Sequence, residues 1–349
     1  MKILFAGGGT LGPVTPLLAV VEAWRKRDPE TEFVWVGTKQ GPERAFVEKE
    51  GIRFFSITQA RLVRAMSGEL LWFPIAFLSA FFQAFRILRR EKPDVIAAAG
   101  GYTSVPLVMI GRWMNIPSWI HQSDVKPILT NQLLAPFATW ITVAWEKTRR
   151  SFPAAKTRVL GNPVRESVRS GEKARAERAF GCDPKKPTVF IFGGGTGSLW
   201  INDAVHEILP ELCEAVNVIH VTGKGKLLGA VTKPGYFVTE SMLAEMPDAY
   251  AAADVVVSRA GAGAIAELAA LKKAAIIIPL PNSPQYENAD AIREASVVMD
   301  QSMTSSQDLL KQIKHLVGDP MKCLALGRQL SIALETRCAE TVVEMLRKR

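Results

Sequence analysis

Lys2-Ile-Leu-Phe-Ala-Gly7-Gly-Gly-Thr-Leu-Gly12 opens the chain, and an apolar-periodic stretch, Val14 to Trp24, follows it. The second half repeats the pattern as Thr188-Val-Phe-Ile-Phe-Gly193-Gly-Gly-Thr-Gly197-Ser198, followed by Ile201 to Leu209. Each copy reads as a short buried strand, a glycine-rich turn and a helix start. Such a turn offers backbone N–H groups at the positive end of a helix dipole, a seat for an anion or a pyrophosphate. Two copies in one chain predict two nucleotide-fold halves facing one another.

Outward from these turns, β and α patterns alternate. Strand candidates in the first half are Ile3–Ala6, Phe33–Val36, Phe54–Ile57, Val95–Ala99, Ser118–His121 and Ile141–Val143. Those in the second half are Val189–Phe192, Val218–Val221, Tyr236–Val238, Val255–Ser258, Ala275–Pro279 and Val297–Asp300. Several are continuous apolar runs, as parallel strands covered on both faces require. The expected class is α/β, with two Rossmann-like domains about a central cleft. Gly161-Asn162-Pro163-Val164-Arg165 has linker chemistry, which places the domains at 1–162 and 163–349. A charged helix over Glu166 to Phe180 is expected after the linker. Met321 to Arg349 reads as one or two helices, the last free to pack back on the first domain.

The 349 residues carry a formal charge of +9, so an anionic partner is expected: nucleic acid, anionic lipid or a phosphorylated substrate. Cys182, Cys213, Cys323 and Cys338 form no C-x-x-C pair and match no zinc spacing, which predicts free thiols in a reducing compartment. The first residues form a strand and leave no room for a signal peptide. No apolar run reaches the roughly 18 to 20 residues that span a bilayer. The expected location is cytoplasmic.

Gly7-x-Gly9-x-x-Gly12 matches the dinucleotide fingerprint, but the second strand ends Val36-Gly37-Thr38 and lacks the acid that holds a ribose. This counts against a nicotinamide-dependent oxidoreductase. The glycines also fit a simple tight turn. Ser258-Arg259-Ala-Gly261-Ala-Gly263-Ala-Ile-Ala-Glu267 follows a buried strand and enters a helix. Its small residues allow close ligand approach, and Glu267 could accept bonds from both hydroxyls of a ribose or simply complement the helix dipole. Gln285 and Asn288 share a helical face. Their amides suit sugar hydroxyls and equally suit helix-start capping.

In their joint order these residues resemble the MurG-like family, peripheral-membrane N-acetylglucosaminyltransferases of peptidoglycan synthesis with a GT-B fold. The likeness spans almost the whole chain. It rests on the first glycine loop with Val14 and Pro16, on Gly37-Thr38-Lys39-x-Gly41-x-Glu43, and on Gly100-Gly101-Tyr102-x-Ser104-x-Pro106. His121, Thr130-Asn131-x-Leu-Leu-Ala135, the Gly161–Arg165 hinge and the second glycine loop continue it. Thr222-Gly-Lys-Gly225, the Arg259–Glu267 segment and Gln285-x-x-Asn288-Ala289 complete it.

The resemblance implies transfer of N-acetylglucosamine from UDP to the C4 hydroxyl of a polyprenyl-diphosphate-linked muramyl peptide, with inversion. It implies donor contacts from Thr10, Asn131, Arg165, Gly194, Gly195, Thr196, Met242, Arg259, Glu267, Gln285 and Asn288. Glu267 would take the ribose, the backbone near Met242 the uracil, and Gln285 and Asn288 the sugar. The acceptor would meet Gly12, Pro13, Tyr102, Thr103 and Ser104. The family needs no bound metal or other cofactor, and the sequence contains no Asp-x-Asp pair.

Two departures stand out. The family's Gly-Gly-His-Val-x-Pro is here Leu11-Gly12-Pro13-Val14-Thr15-Pro16, and its His-Glu-x-Asn is His121-Gln122-Ser123-Asp124. Pro13 removes a ring and a backbone N–H. The expected proton acceptor becomes Asp124, with His121 beside it, though His121 could equally be a satisfied strand-end histidine. These departures keep open two other readings: a GT-B enzyme with another lipid or glycan acceptor, and an impaired homologue that binds UDP-sugar and membrane.

Leu70 to Arg90 is the most apolar region and ends in arginines. Trp72, Phe73, Phe77 and Phe81 are expected to form a patch on an anionic cytoplasmic membrane face, with Arg61 and Arg64 adding lipid or diphosphate contacts. A fully buried helix is the alternative. Partners are therefore UDP-N-acetylglucosamine, the lipid-linked acceptor and the membrane surface, without nucleic acid.

Overall fold

In a computed structural model, residues 1–58, 69–227 and 233–348 are described, with only the backbone for 69–73. Arg61 and Arg64 lie outside the described residues, as do the side chains of Trp72 and Phe73. The chain divides into two units, Met1–Arg165 with Arg337–Arg349, and Glu166–Thr336.

The first unit holds a seven-stranded sheet in the order β3-β2-β1-β4-β5-β6-β7. The strands are β1 (Lys2–Ala6), β2 (Glu32–Gly37), β3 (Arg53–Ser56), β4 (Val95–Ala98), β5 (Ser118–Gln122), β6 (Trp140–Val143) and β7 (Thr157–Val159). All pairings are parallel. The central strands β1 and β4 are apolar at every position but Lys2 and buried on both faces, because helices cover each side. On one face the core joins Phe5, Trp24, Trp35 and Trp119 to the helix Thr15–Arg27. The last helix, Ala339–Arg347, inserts Val342, Val343, Met345 and Leu346 into that same core. On the other face Leu107, Val108, Ala84 and Leu88 close the sheet.

The second unit holds a six-stranded sheet in the order β10-β9-β8-β11-β12-β13. Its strands are β8 (Thr188–Phe192), β9 (Asn217–Val221), β10 (Tyr236–Thr239), β11 (Val255–Ser258), β12 (Ala274–Ile277) and β13 (Val297–Val298), again all parallel. In both sheets the glycine turn follows the strand at which strand order reverses, β1 and β8. That is the topological switch point, where open α/β sheets bind ligands beyond the strand ends.

Strand β7 joins the edge of the first sheet. The helix expected over Glu166 to Phe180 is a 3-10 turn, Glu166–Ser170, and a separate helix, Lys173–Phe180. Asp248 separates them: it accepts the Glu172 N–H at 2.9 Å and pairs with Arg175. The junction of the units falls after Arg165, and the final helix belongs with the first unit. No helix among the described residues is long and apolar enough to cross a membrane.

Candidate functional site

In the first unit, three neighbouring loops leave the carboxyl ends of β1, β4 and β5. The turn after β1 is closed from within. Glu43 is fully buried, and its carboxylate accepts Gly9 N–H at 3.1 Å and both the N–H and the hydroxyl of Thr38 at 2.6 Å. A Cβ on Gly8, Gly37 or Gly41 would collide with this carboxylate. The three glycines make room for an internal anion. Thr10 and Gly12 are exposed beyond it, and Pro13 is half-buried.

The loop after β4 crosses close to this turn. A Cβ on Gly101 would lie 3.1 Å from Gly8 O, and Gly101 has φ +88. Ser104 donates its hydroxyl to Gly101 O at 2.6 Å and begins the helix Ser104–Trp113. Thr103 is buried, with an unpartnered Oγ1, and Tyr102 is exposed. The structure therefore brings Gly12, Pro13, Tyr102, Thr103 and Ser104 to one end of one sheet.

The loop after β5 is organised by Gln122. Its amide nitrogen donates to Asp124 O at 2.9 Å and Lys126 O at 3.1 Å. Its amide oxygen accepts Ile128 N–H at 3.3 Å and Asn131 Nδ2 at 2.8 Å. Both donors and both acceptor sites are filled. Asn131 is fully buried, also donates to His121 O at 2.8 Å, and keeps an unpartnered Oδ1. Asp124 is half-buried on this loop.

His121 is open to two readings, a partner of the proton acceptor or a satisfied strand-end histidine. Its Nδ1 meets Thr142 Oγ1 at 2.8 Å and its Nε2 meets Asn162 Oδ1 at 2.9 Å. Burial pushes its pKa down to about 4, against the opposing effect of Asn162. Both ring nitrogens are engaged in the protein, so His121 ties β5 to β6 and to the Asn162 hinge. Arg165 ends this unit half-buried, and its Nε has no hydrogen-bond partner.

In the second unit the turn after β8 is open. Gly197 N–H donates to Gly194 O at 3.0 Å, and a Cβ on Gly194, φ +80, would meet nothing within 4 Å. Gly195 and Thr196 are exposed. Gly197 packs backbone to backbone on Gly223, so that a Cβ there would strike Thr222 O. The Thr222–Lys226 loop is held by Asn202, which donates to Thr222 O at 3.1 Å and Lys226 O at 3.3 Å. Asn202 is held in turn by His220 at 3.1 Å, and burial lowers the His220 pKa to about 4.

Ser198 caps the helix Leu199–Ala215, accepting Ile201 N–H at 3.3 Å. Arg259 is expected at the donor, yet its buried guanidinium donates to Ser198 Oγ at 2.7 Å, Ile278 O at 3.2 Å and Pro279 O at 3.1 Å. It braces the turns after β8, β11 and β12 together. Its pKa is lowered by burial. Asn288 is likewise buried and donates to Ala260 O at 3.1 Å, while Gln285 Oε1 accepts Leu280 N–H at 3.0 Å. Met242 is buried just past β10. Glu267 is half-buried on the helix Ala262–Leu271, and Tyr250 donates to its Oε2 at 2.8 Å.

Sequence reasoning missed the bonding roles of Glu43, Tyr250, Gln122, Asn162 and Asn202. Glu43 stood inside a quoted motif, and the glycines around it were the available signal.

The Glycosyltransferase family 28 N-terminal domain matches residues 3–143, and the C-terminal domain of that family matches residues 188–341. Among solved structures, MurG of Acinetobacter baumannii aligns with TM-score 0.71 at 23% identity, covering 100% of this chain and 99% of that one. A Neisseria meningitidis UDP-GlcNAc 2-epimerase bound to UDP-GlcNAc also reaches 0.71, at 15% identity with 100% of both chains covered. A transferase and an epimerase at equal similarity show the fold alone. Sequence separates what the fold does not. The UDP-N-acetylglucosamine–N-acetylmuramyl-(pentapeptide) pyrophosphoryl-undecaprenol N-acetylglucosamine transferase 2 of Bacillus cereus is 36% identical over 324 residues, 90% of this chain and 91% of its own. With both family 28 domains in place and that identity running through both units, the chain belongs to the MurG-like family of glycosyltransferases.

Proposed function

We propose that the protein moves N-acetylglucosamine from UDP-N-acetylglucosamine to the C4 hydroxyl of a polyprenyl-diphosphate-linked N-acetylmuramyl peptide, inverting the anomeric carbon. The observation that carries this reading is the 36% identity to the Bacillus cereus transferase across 90% of the chain. The open Gly194 turn and the half-buried Glu267 in the second unit support donor binding there.

The acceptor oxygen attacks C1 as the bond from C1 to the UDP oxygen breaks. Its proton passes to Asp124, and the bonding pair leaves with UDP. Asp124 is preferred over His121 because it is half-buried on the loop that Gln122 holds beyond β5, whereas His121 is 1% exposed within the strand. Charge on the departing diphosphate is met by the N-terminus of the Leu199–Ala215 helix, a preorganised electrostatic contribution. This route needs no metal ion or organic cofactor.

The acceptor's lipid places the protein on the cytoplasmic membrane face as a peripheral protein. Among the described residues of the helix Glu69–Glu91, the exposed large apolar side chains are Ile75, Leu78 and Phe82, with the Arg86 guanidinium 5.9 Å from the Phe82 ring. Phe77 and Phe81, two of the four residues expected to form the patch, are half-buried with their rings 4.5 Å apart. The positive charge serves diphosphate and anionic lipid rather than nucleic acid. Pro13 favours one second reading, transfer to a different polyprenyl-diphosphate glycan.

The test is UDP release from UDP-N-acetylglucosamine with and without the lipid-linked muramyl acceptor. Release that depends on this acceptor, and falls at least a hundredfold in Asp124→Asn, is expected. Release only with another lipid-linked glycan would transfer support to the second reading. Donor binding without any release would overturn both.

A further inference from the structure

Tyr250 stands apart from every residue that sequence reasoning assigned to the donor. It is 1% exposed, on the helix Met246–Ala252 that precedes β11. Its ring lies edge-on to two phenylalanines of β8: Phe190 at 5.2 Å and 86°, and Phe192 at 5.9 Å and 87°. Such perpendicular pairs are favourable and fix ring orientation. Phe192 is the last residue before the second glycine turn. The hydroxyl at the far end of the Tyr250 ring donates to Glu267 Oε2 at 2.8 Å.

The strand that ends in the glycine turn therefore holds an aromatic ring, and that ring holds a carboxylate. A carboxylate on a half-exposed glutamate has several rotamers, and a charge-assisted bond from a buried phenol selects one. Glu267 starts seven residues after Ala260, beyond the end of β11. The phenol fixes one of its oxygens, Oε2, against the helix that precedes β11.

We propose that Tyr250 is a positioning residue that orients Glu267 toward the ribose hydroxyls of a uridine diphosphate donor, and so sets the preference for ribo- over deoxyribonucleotide. This rests on the reading of Glu267 as the ribose carboxylate. Tyr250 acts through Glu267 and does not itself meet the donor.

The experiment measures inhibition by UDP and by 2′-deoxy-UDP, competing with UDP-N-acetylglucosamine, in the parent, Tyr250→Phe, Glu267→Ala and the double variant. Tyr250→Phe keeps the ring and both phenylalanine contacts, so the thermal unfolding midpoint is expected to stay close to the parent's. The parent should prefer UDP about tenfold, the scale of one charge-assisted hydrogen bond. Tyr250→Phe and Glu267→Ala should each remove most of that preference, and the double variant should be no worse than Glu267→Ala alone. Donor KM should rise in Tyr250→Phe with little change in kcat.

Loss of preference in Glu267→Ala but not in Tyr250→Phe would overturn the proposal and leave the ribose reading intact. Additive losses in the double variant would overturn it too, since they would show Tyr250 acting independently. Equal inhibition of the parent by the two nucleotides would overturn the ribose reading itself.

Discussion

Glu43 Oε2 accepts the backbone N–H of Gly9 across 34 positions of sequence, at 3.1 Å. The first glycine turn thus carries its anion as part of the protein, while the second leaves open space beside Gly194. Two turns alike in sequence differ in what lies against them, the Glu43 carboxylate at the first and open space beside Gly194 at the second.

Replacing Glu43 by Ala strands the N–H groups of Gly9 and Thr38 in a buried site. The expected loss is about 3 kcal/mol of unfolding free energy. Glu43→Gln, which retains an acceptor oxygen, should lose less. Urea denaturation of the two variants checks the order.

Gln122 is sensitive to a change of one atom. In Gln122→Glu the carboxylate accepts but does not donate, so Asp124 O and Lys126 O lose their partner and face a negative oxygen. We expect about 2 kcal/mol of destabilisation, and a lower turnover because the Asp124 loop loses its fixed path. A variant as stable as the parent, measured by chemical unfolding, would refute this account of the loop.

Two buried histidines set an acid limit. His121 and His220 have pKa values lowered from the ordinary 6.5 to about 4 because burial penalises the imidazolium. The unfolded chain binds their protons first. Stability is therefore complete above about pH 6.5 and falls as pH drops toward 4, by about 3 kcal/mol for each histidine. Unfolding free energies at pH 7.5, 6 and 5 should decline in that order.

The exposed face of the helix Glu69–Glu91 predicts where the membrane is met. An Ile75→Ser, Leu78→Ser, Phe82→Ser variant should bind anionic vesicles at least about tenfold more weakly, with its fold intact. Phe77→Ser with Phe81→Ser should chiefly cost stability, because those rings are half-buried against one another. Vesicle cosedimentation alongside thermal unfolding separates the two outcomes.

The fold was legible wherever burial on both faces wrote a continuous apolar run. All four residues of Val95–Ala98 are buried, and both glycine turns stand where their strands end. Strand β7 escaped notice because three residues on a sheet edge, Thr157, Arg158 and Val159, carry no such run. The split before Lys173 was equally hidden, since its cause is Asp248, 76 residues from Glu172. The site behaved in the same way. Residue types at the strand ends pointed to a nucleotide-sugar enzyme, but hydrogen bonds decided which of them face inward. Arg259, read as a donor contact, also braces three turns, and His121, read as a proton-transfer partner or a satisfied strand-end histidine, has both ring nitrogens engaged. Tyr250 lay inside an apolar pattern, where nothing local distinguishes a core ring from one holding a carboxylate. On the apolar helix the composition was plain but the exposed face was not: Ile75, Leu78 and Phe82 are exposed and Phe77 and Phe81 half-buried, while the side chains of Trp72 and Phe73 lie outside the described residues.

The helix Ala339–Arg347 carries a last consequence. Val342, Val343, Met345 and Leu346 complete a core that begins with Ile3 and Phe5. During synthesis the core on that face, though roofed by the helix Thr15–Arg27, therefore stays incomplete until the residues after Thr336 are made. The second unit can mature first, although it is made later. The apolar surface around Leu17 and Trp24 is thus completed only by residues made after the second unit.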